Sequence, residues 1–99
     1  MIRLARINVA MPGKTFELLA ALKETAEIVK SVTGTEVINF ASMGAQVGET
    51  VSVLNFSSLA EYEEKIAKLV ASADYRAAVK SFEDLVVPGA SHDHFLRQI

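Results

Sequence analysis

The run TVSVLNFSSLAEYEEKIAKLV, Thr50 to Val70, changes character half-way along. Thr50 to Phe56 is rich in β-branched and aromatic residues and reads as a strand. From Leu59 onward the apolar residues recur every three or four positions, as Leu59, Tyr62, Ile66, Leu69 and Val70. That is the buried stripe of a helix. Between the two patterns, Ser58 and Glu61 have capping-box spacing. The hydroxyl accepts from a free N–H of the first turn, and the carboxylate reaches back to another. A strand therefore runs straight into a capped helix, and the rest of the chain can be read outward from that joint.

Upstream, EVINFASM (Glu36 to Met43) reads as a strand and GAQVGE (Gly44 to Glu49) as a glycine-bearing turn, which predicts a hairpin with the Thr50–Phe56 strand. Before it, Leu18, Leu22, Ala26 and Val29 form one helical stripe, with Lys23, Glu24, Glu27 and Lys30 on the other side. Gly34 follows the last periodic residue, where a helix commonly stops. IRLARINVA (Ile2 to Ala10) alternates as a strand and ends at Pro12-Gly13. Downstream, the helix is predicted to break and restart around ASADYR, with Asp74 as the new cap. Tyr75, Ala78, Val79, Phe82 and Val86 supply a second stripe, and Pro88-Gly89 stops it. SHDHFLRQI (Ser91 to Ile99) is then the fourth strand. The order β-α-β-β-α-β, with the second helix split, predicts an α+β, ferredoxin-like fold: an antiparallel four-stranded sheet with helices on one face.

The bulk numbers narrow the function. Ninety-nine residues make one domain, 1–99, small enough to gain from a partner. Hydrophobic residues are 51% and charged residues 22%, which excludes a disordered chain. A net charge of −2 offers no footprint for nucleic acid or anionic membrane. There is no cysteine, hence no disulfide, thiolate nucleophile or cysteine-bound zinc. The longest strictly apolar run, Leu18 to Leu22, is far short of a membrane span, and Pro12 comes too early for a signal-peptide core. The expected location is cytoplasmic.

A sheet covered by helices on one side should be polar on the other if it faces water. Parity assigns Ala5, Ile7 and Val9, Ile38 and Phe40, and Leu54 and Phe56 to the helix side. The far side then carries Leu4, Val37, Ala41, Met43, Val51 and Val53, with Arg6, Asn8, Asn39 and Asn55 set among them. An apolar face of that extent predicts a homodimer, two sheets facing one another as a closed barrel. Arg6, Asn8, Asn39 and Asn55 become candidate ligand-binding residues in its interior: a few convergent polar groups among apolar walls. The alternative is that each satisfies a strand end or a cross-dimer hydrogen bond.

The element order, together with NFSSLAEYEEKIAKLVASADYRAAV (Asn55 to Val79), resembles the dimeric α/β-barrel superfamily, closest to its antibiotic-biosynthesis-monooxygenase-like and NIPSNAP-like members. In those proteins a third-strand end, a helix start of the "sl-e-y" kind and a "-s-d-y/w" segment follow in this order. The resemblance implies a homodimer with a cavity between sheet and helices in each subunit. It also implies two activities. One is oxygenation of an aromatic, polyketide-like substrate without metal or flavin, in which polar side chains stabilise a phenol anion. Asn8 matches a first-strand asparagine of several such enzymes and is the catalytic residue the resemblance carries over. The other is haem degradation, whose pattern adds a tryptophan and an iron-ligating helix histidine. This sequence has no tryptophan, and its helix after SADYR offers Ala77, Ala78 and Val79.

His92 and His94 point to one face of the last strand and Asp93 to the other. Two histidines are too few for a metal site without further ligands, so no metal and no cofactor is expected. A histidine lining the cavity or interface is the simpler reading, with His92 as a contact and His94 as a base near neutral pH. The serines lack acidic and histidine partners at interpretable spacing, and MGAQVGE lies in a hairpin rather than between strand and helix. Three readings remain: a homodimeric small-molecule-binding barrel, a cofactor-independent monooxygenase, and a purely structural or interaction dimer.

Overall fold

The computed structural model describes residues 1–44 and 47–99. The chain runs β1 (Ile2–Val9), α1 (Thr15–Thr33), β2 (Val37–Ala41), β3 (Glu49–Phe56), α2 (Leu59–Ala71), α3 (Ala73–Ser81), a 3-10 turn (Glu83–Leu85) and β4 (His92–Arg97). The sheet order is β2-β3-β1-β4, and every neighbouring pair is antiparallel. This is the α+β, ferredoxin-like arrangement that the sequence predicts. The tip of the β2–β3 hairpin, at positions 45 and 46, lies outside the described residues.

Local chemistry sets the element ends. Gly34 closes α1 in the left-handed region at φ 75°, and its N–H donates to the Lys30 carbonyl at 2.8 Å. A side chain at Gly34 would be strained there. Ser58 caps α2, accepting from the Glu61 N–H at 3.1 Å. Glu61 reaches one residue further back than the box predicts, accepting from the N–H of Ser57 at 3.1 Å and from its hydroxyl. Those bonds, with Lys65 at 3.0 Å, hold the Glu61 carboxyl down to about 2. The break between α2 and α3 is real, but Ser72 caps the restart rather than Asp74: its Oγ accepts from the Tyr75 N–H at 3.2 Å. Val86 falls past the helix, in a single bridge opposite Ala10.

The main core lies between sheet and helices, where Ile2, Leu4, Leu54 and Phe56 pack with Val29 and Leu69. A second cluster gathers Ala10, Leu18 and Leu22 against Phe82, Leu85 and Val86. Leu4 sits opposite Leu54 on β3 and opposite Phe95 on β4, so these residues share the helix-covered face. Phe95 stacks at 4.7 Å on Tyr62 of α2, on that same side.

The register corrects the parity assignment for two strands. On β1 the covered residues are Ile2, Leu4, Arg6 and Asn8, and on β2 they are Val37 and Asn39, aligned with Ser52 and Leu54 of β3. Ala5, Ile7 and Val9, with Ile38 and Phe40, lie on the open face instead. The assignment of β3 stands. The reversal has a physical cause: both faces of β1 and β2 carry apolar residues, so hydrophobicity alone does not choose the face.

Candidate functional site

Three strands and three helices converge on a cavity of about 80 Å³ between the sheet and the helical layer. Its walls are mostly aliphatic, with Leu4 and Leu54 from the sheet, Leu22 and Val29 from α1, and Ile66 and Leu69 from α2. Phe82, Val79 and Tyr75 close the α3 side. Into this apolar box project Arg6, Asn8, Asn39 and Ser52, all on adjacent covered positions of β1, β2 and β3. Aliphatic walls with a few directed polar groups are the usual composition of a small-molecule site.

Most of those polar groups are already satisfied. Ser52 Oγ donates to Asn39 Oδ1 at 2.6 Å, and Asn39 Nδ2 donates to the Leu22 carbonyl at 3.4 Å. This pair ties the sheet to α1. Arg6 forms a two-pronged pair with Asp93 of β4, Nε to Oδ1 at 2.8 Å and Nη2 to Oδ2 at 2.9 Å. The hydrogen bonding to Asp93 outweighs burial and raises the Arg6 pKa, with Tyr75 adding to the effect. The same bonds lower the Asp93 pKa. The guanidinium is thus held charged and in one plane at the cavity wall.

Asn8 differs from the rest. It is 4% exposed, its Oδ1 accepts from Ser91 Oγ at 2.6 Å, and its Nδ2 has no hydrogen-bond partner. A buried amide N–H₂ without an acceptor costs about 1–3 kcal/mol relative to a paired one. Such a group is ordinarily met by a buried water or by a ligand in the adjoining cavity.

The structure brings Arg6, Asn8 and Asn39 together in one cavity, on the helix side of the sheet rather than the far side. It does not bring Asn55, His92 or His94 there. Asn55 Oδ1 accepts from Arg3 Nε at 2.8 Å on the open face. His94 lies opposite Ala5, and His92 opposite Ile7, on that same face. Their rings stand 5.3 Å apart, and among the described residues no group of three or more potential metal ligands forms. Ser52, Asp93 and Ser91 belong to the site or its support and are not marked by the sequence, whereas Tyr75, a stripe residue expected near the cavity, lines it. Asp93 could have been found: it alternates with the two histidines, so fixing the register of Arg6 fixes its partner.

The open face is apolar. Ile38 and Phe40 are 47% and 54% exposed beside Val51 and Val53 of β3, and Leu96, 49% exposed, lies on the other edge strand opposite Arg3. Every residue of the edge strand β4 is exposed. Among the described residues no helix is long and apolar enough to cross a membrane.

No family model matches the sequence, and no curated protein does. The fold, however, is shared with solved structures over the whole chain. A NIPSNAP family protein of unknown function from Agrobacterium tumefaciens matches at TM-score 0.82 and 24% identity, covering 99% of this chain and 87% of that one. An uncharacterised NIPSNAP domain protein from Burkholderia xenovorans matches at TM-score 0.85 and 13% identity, over 100% and 95% of the two chains. A putative antibiotic biosynthesis monooxygenase from Nitrosomonas europaea matches at TM-score 0.77 and 11% identity, over 100% and 99%. The expected resemblance to NIPSNAP-like and antibiotic-biosynthesis-monooxygenase-like proteins therefore holds at the level of fold.

Proposed function

We propose that this chain, as the single domain 1–99, works in the cytoplasm as a homodimeric small-molecule-binding α/β barrel, with one ligand pocket between the sheet and the helices of each subunit. The observation that carries the reading is the Asn8 amide, buried and lacking an acceptor at the wall of a mostly apolar cavity. The ligand is a small, largely apolar or aromatic molecule with a polar group to meet it. The dimer follows from the open face, where Ile38, Phe40 and Leu96 form the kind of patch that a second copy covers. On that reading His92 and His94 are interface residues rather than a base and a ligand contact. The purely structural reading is weaker, because the cavity between sheet and helices is left open.

The same amide favours a second, sharper reading, a cofactor-independent monooxygenase. An N–H₂ donor and a fixed guanidinium in a low-dielectric pocket suit an anion of a phenol or enol. Such an anion supplies the electrons to O₂; one oxygen atom enters the substrate at an activated CH₂ to give C=O, and the other leaves as water.

A native mass spectrum taken beside a denatured one tests the first reading. A dimer carrying an organic mass that disappears on denaturation supports it, and a bare monomer overturns the assembly. For the second, oxygen uptake with an electron-rich phenol is compared between the wild type and Asn8→Ala. Retained binding with lost uptake supports catalysis, and uptake that survives the substitution removes Asn8 from the chemistry.

A further inference from the structure

The orientation of the Asn8 amide is set from outside the cavity. Asn8 sits near the end of β1, and Ser91 lies just before β4 in the segment that follows Pro88-Gly89. Their side chains meet at 2.6 Å. The bond runs from the Ser91 hydroxyl to Asn8 Oδ1, so Ser91 is the donor and the amide oxygen the acceptor. With Oδ1 taken, Nδ2 is turned away from Ser91 and is the group left without a partner.

The other polar groups of the cavity reinforce one polarity. Asn39 has both ends engaged, by Ser52 and by the Leu22 carbonyl, and Asp93 is neutralised by Arg6. What remains without a partner among these four is the donor at Asn8, since Arg6 is held by Asp93 as Asp93 is by Arg6. An apolar molecule bearing one accepting oxygen fits this set, and a molecule offering only donors does not.

We propose that Ser91 is a positioning residue: by donating to Asn8 Oδ1 it locks the amide with its N–H₂ toward the ligand, and so makes the cavity selective for a carbonyl or oxyanion oxygen. The proposal rests on the pocket reading given above. Ser91 itself is exposed and touches the ligand only through Asn8. Removing its hydroxyl frees the amide to rotate, since a free Oδ1 and a free Nδ2 then differ little in their surroundings. The pocket keeps its shape and loses its polarity.

The test uses two isosteres, acetophenone and α-methylstyrene, which differ by C=O against C=CH₂. Binding of each to the full chain is followed by amide and side-chain N–H₂ resonances in nitrogen–proton correlation spectra. The wild type is expected to prefer acetophenone about tenfold, with the Asn8 side-chain resonances moving only for the ketone. In Ser91→Ala the preference should fall to within about twofold, while α-methylstyrene binds as before. Ser91→Thr, which keeps the hydroxyl, should restore the preference. A Ser91→Ala protein that keeps the full ketone preference overturns the positioning role. Equal binding of both probes by the wild type also overturns it, while leaving the pocket itself standing. If neither probe binds and no side-chain resonance of the cavity moves, the pocket reading fails, and this inference with it.

Discussion

The two faces of the sheet each carry residues that an ordinary monomer would place on the other. The face under the helices joins the core residues Ile2, Leu4, Leu54 and Phe56 to a polar group of Arg6, Asn8, Asn39, Thr50, Ser52 and Asp93. The face without a helical layer leaves Ile38, Phe40 and Leu96 exposed, with Val51 and Val53 half-buried and Arg3, Asn55, His92 and His94 set among them. Polar groups in a core cost stability unless each is paired, and apolar groups in water gain nothing. A chain keeps both only when each serves something besides its own folding. The covered face then reads as a site and the open face as an interface, and substitutions on the two faces should fail in different ways.

The largest effect is expected on the open face. On the proposed dimer, Phe40→Asp places a charge at the β2 edge of the patch and should yield a monomer, leaving the fold intact by circular dichroism. Sedimentation velocity reads the change directly. A protein that stays dimeric with both Phe40→Asp and Val51→Asp uses some other surface, and the comparison between the faces collapses.

Next in size is a matched pair of neighbours, Val53 and Leu54, whose side chains leave β3 on opposite sides. Leu54 is in the main core. In the monomeric Phe40→Asp background, Leu54→Ala should cost about 2–5 kcal/mol in urea unfolding, the range for emptying a buried leucine site. Val53→Ala, uncovered in that background, should cost about 1 kcal/mol or less. Equal losses would mean that the open face packs on something within the subunit.

Why the faces were hard to assign shows how far this sequence can be read. The element order was legible because it rests on period changes and on punctuation: Pro12-Gly13, Gly34, the Ser58 cap, Pro88-Gly89. These are local signals, and each acts where it stands. Face assignment is not local. In β1 the residues Ile2, Leu4, Ala5, Ile7 and Val9 are apolar on both parities, so the strand reads equally well either way up. β3 reads the right way up from Leu54 and Phe56 against Asn55, although Thr50 and Ser52 against Val51 and Val53 point the other way. Arg6, Asn8, Asn39 and Asn55 stand out as a set because polar residues are conspicuous in apolar strands, and the first three of them meet in the cavity. Their placement in one cavity needed the register with β3 and β4. Asn55 and the two histidines share the polar signal without sharing the cavity, and nothing in their spacing separates them.

The helical layer that covers the polar face has its own anchor at the start of α2. Ser58→Ala removes the Oγ that accepts from Glu61 N–H, and should cost about 1 kcal/mol. Glu61 makes the same joint dependent on pH. Its carboxyl is held down to about 2 from an ordinary 4.5 by Ser57 first and Lys65 next. A depressed carboxylate stabilises the fold fully above its unfolded value and loses that contribution as pH falls toward the folded one. Thermal unfolding should therefore steepen in its pH dependence between 4.5 and about 2, and Glu61→Gln should flatten that part of the curve. A curve that Glu61→Gln leaves unchanged would put the acid sensitivity elsewhere, first at Asp93, whose pKa Arg6 lowers in the same sense.

The smallest expected change is the one whose sign matters most. Asn8→Leu replaces a buried amide, half of it without a partner, by an aliphatic side chain of similar size among Leu4, Leu22 and Leu54. If Asn8 is there to hold the fold together, the substitution destabilises by roughly 1–3 kcal/mol, because the Ser91 bond is lost. If it is there for a ligand, the lost bond is one that exposed Ser91 remakes with water, and the unpaired N–H₂ no longer has to be buried. Unfolding in urea should then show Asn8→Leu equal to the wild type or more stable by up to about 1 kcal/mol. Ligand binding should disappear in the same protein. Stability gained where binding is lost is the signature of a polar group kept in the core for function. A clear loss of stability with binding intact would return Asn8 to the scaffold and leave the covered face without its site.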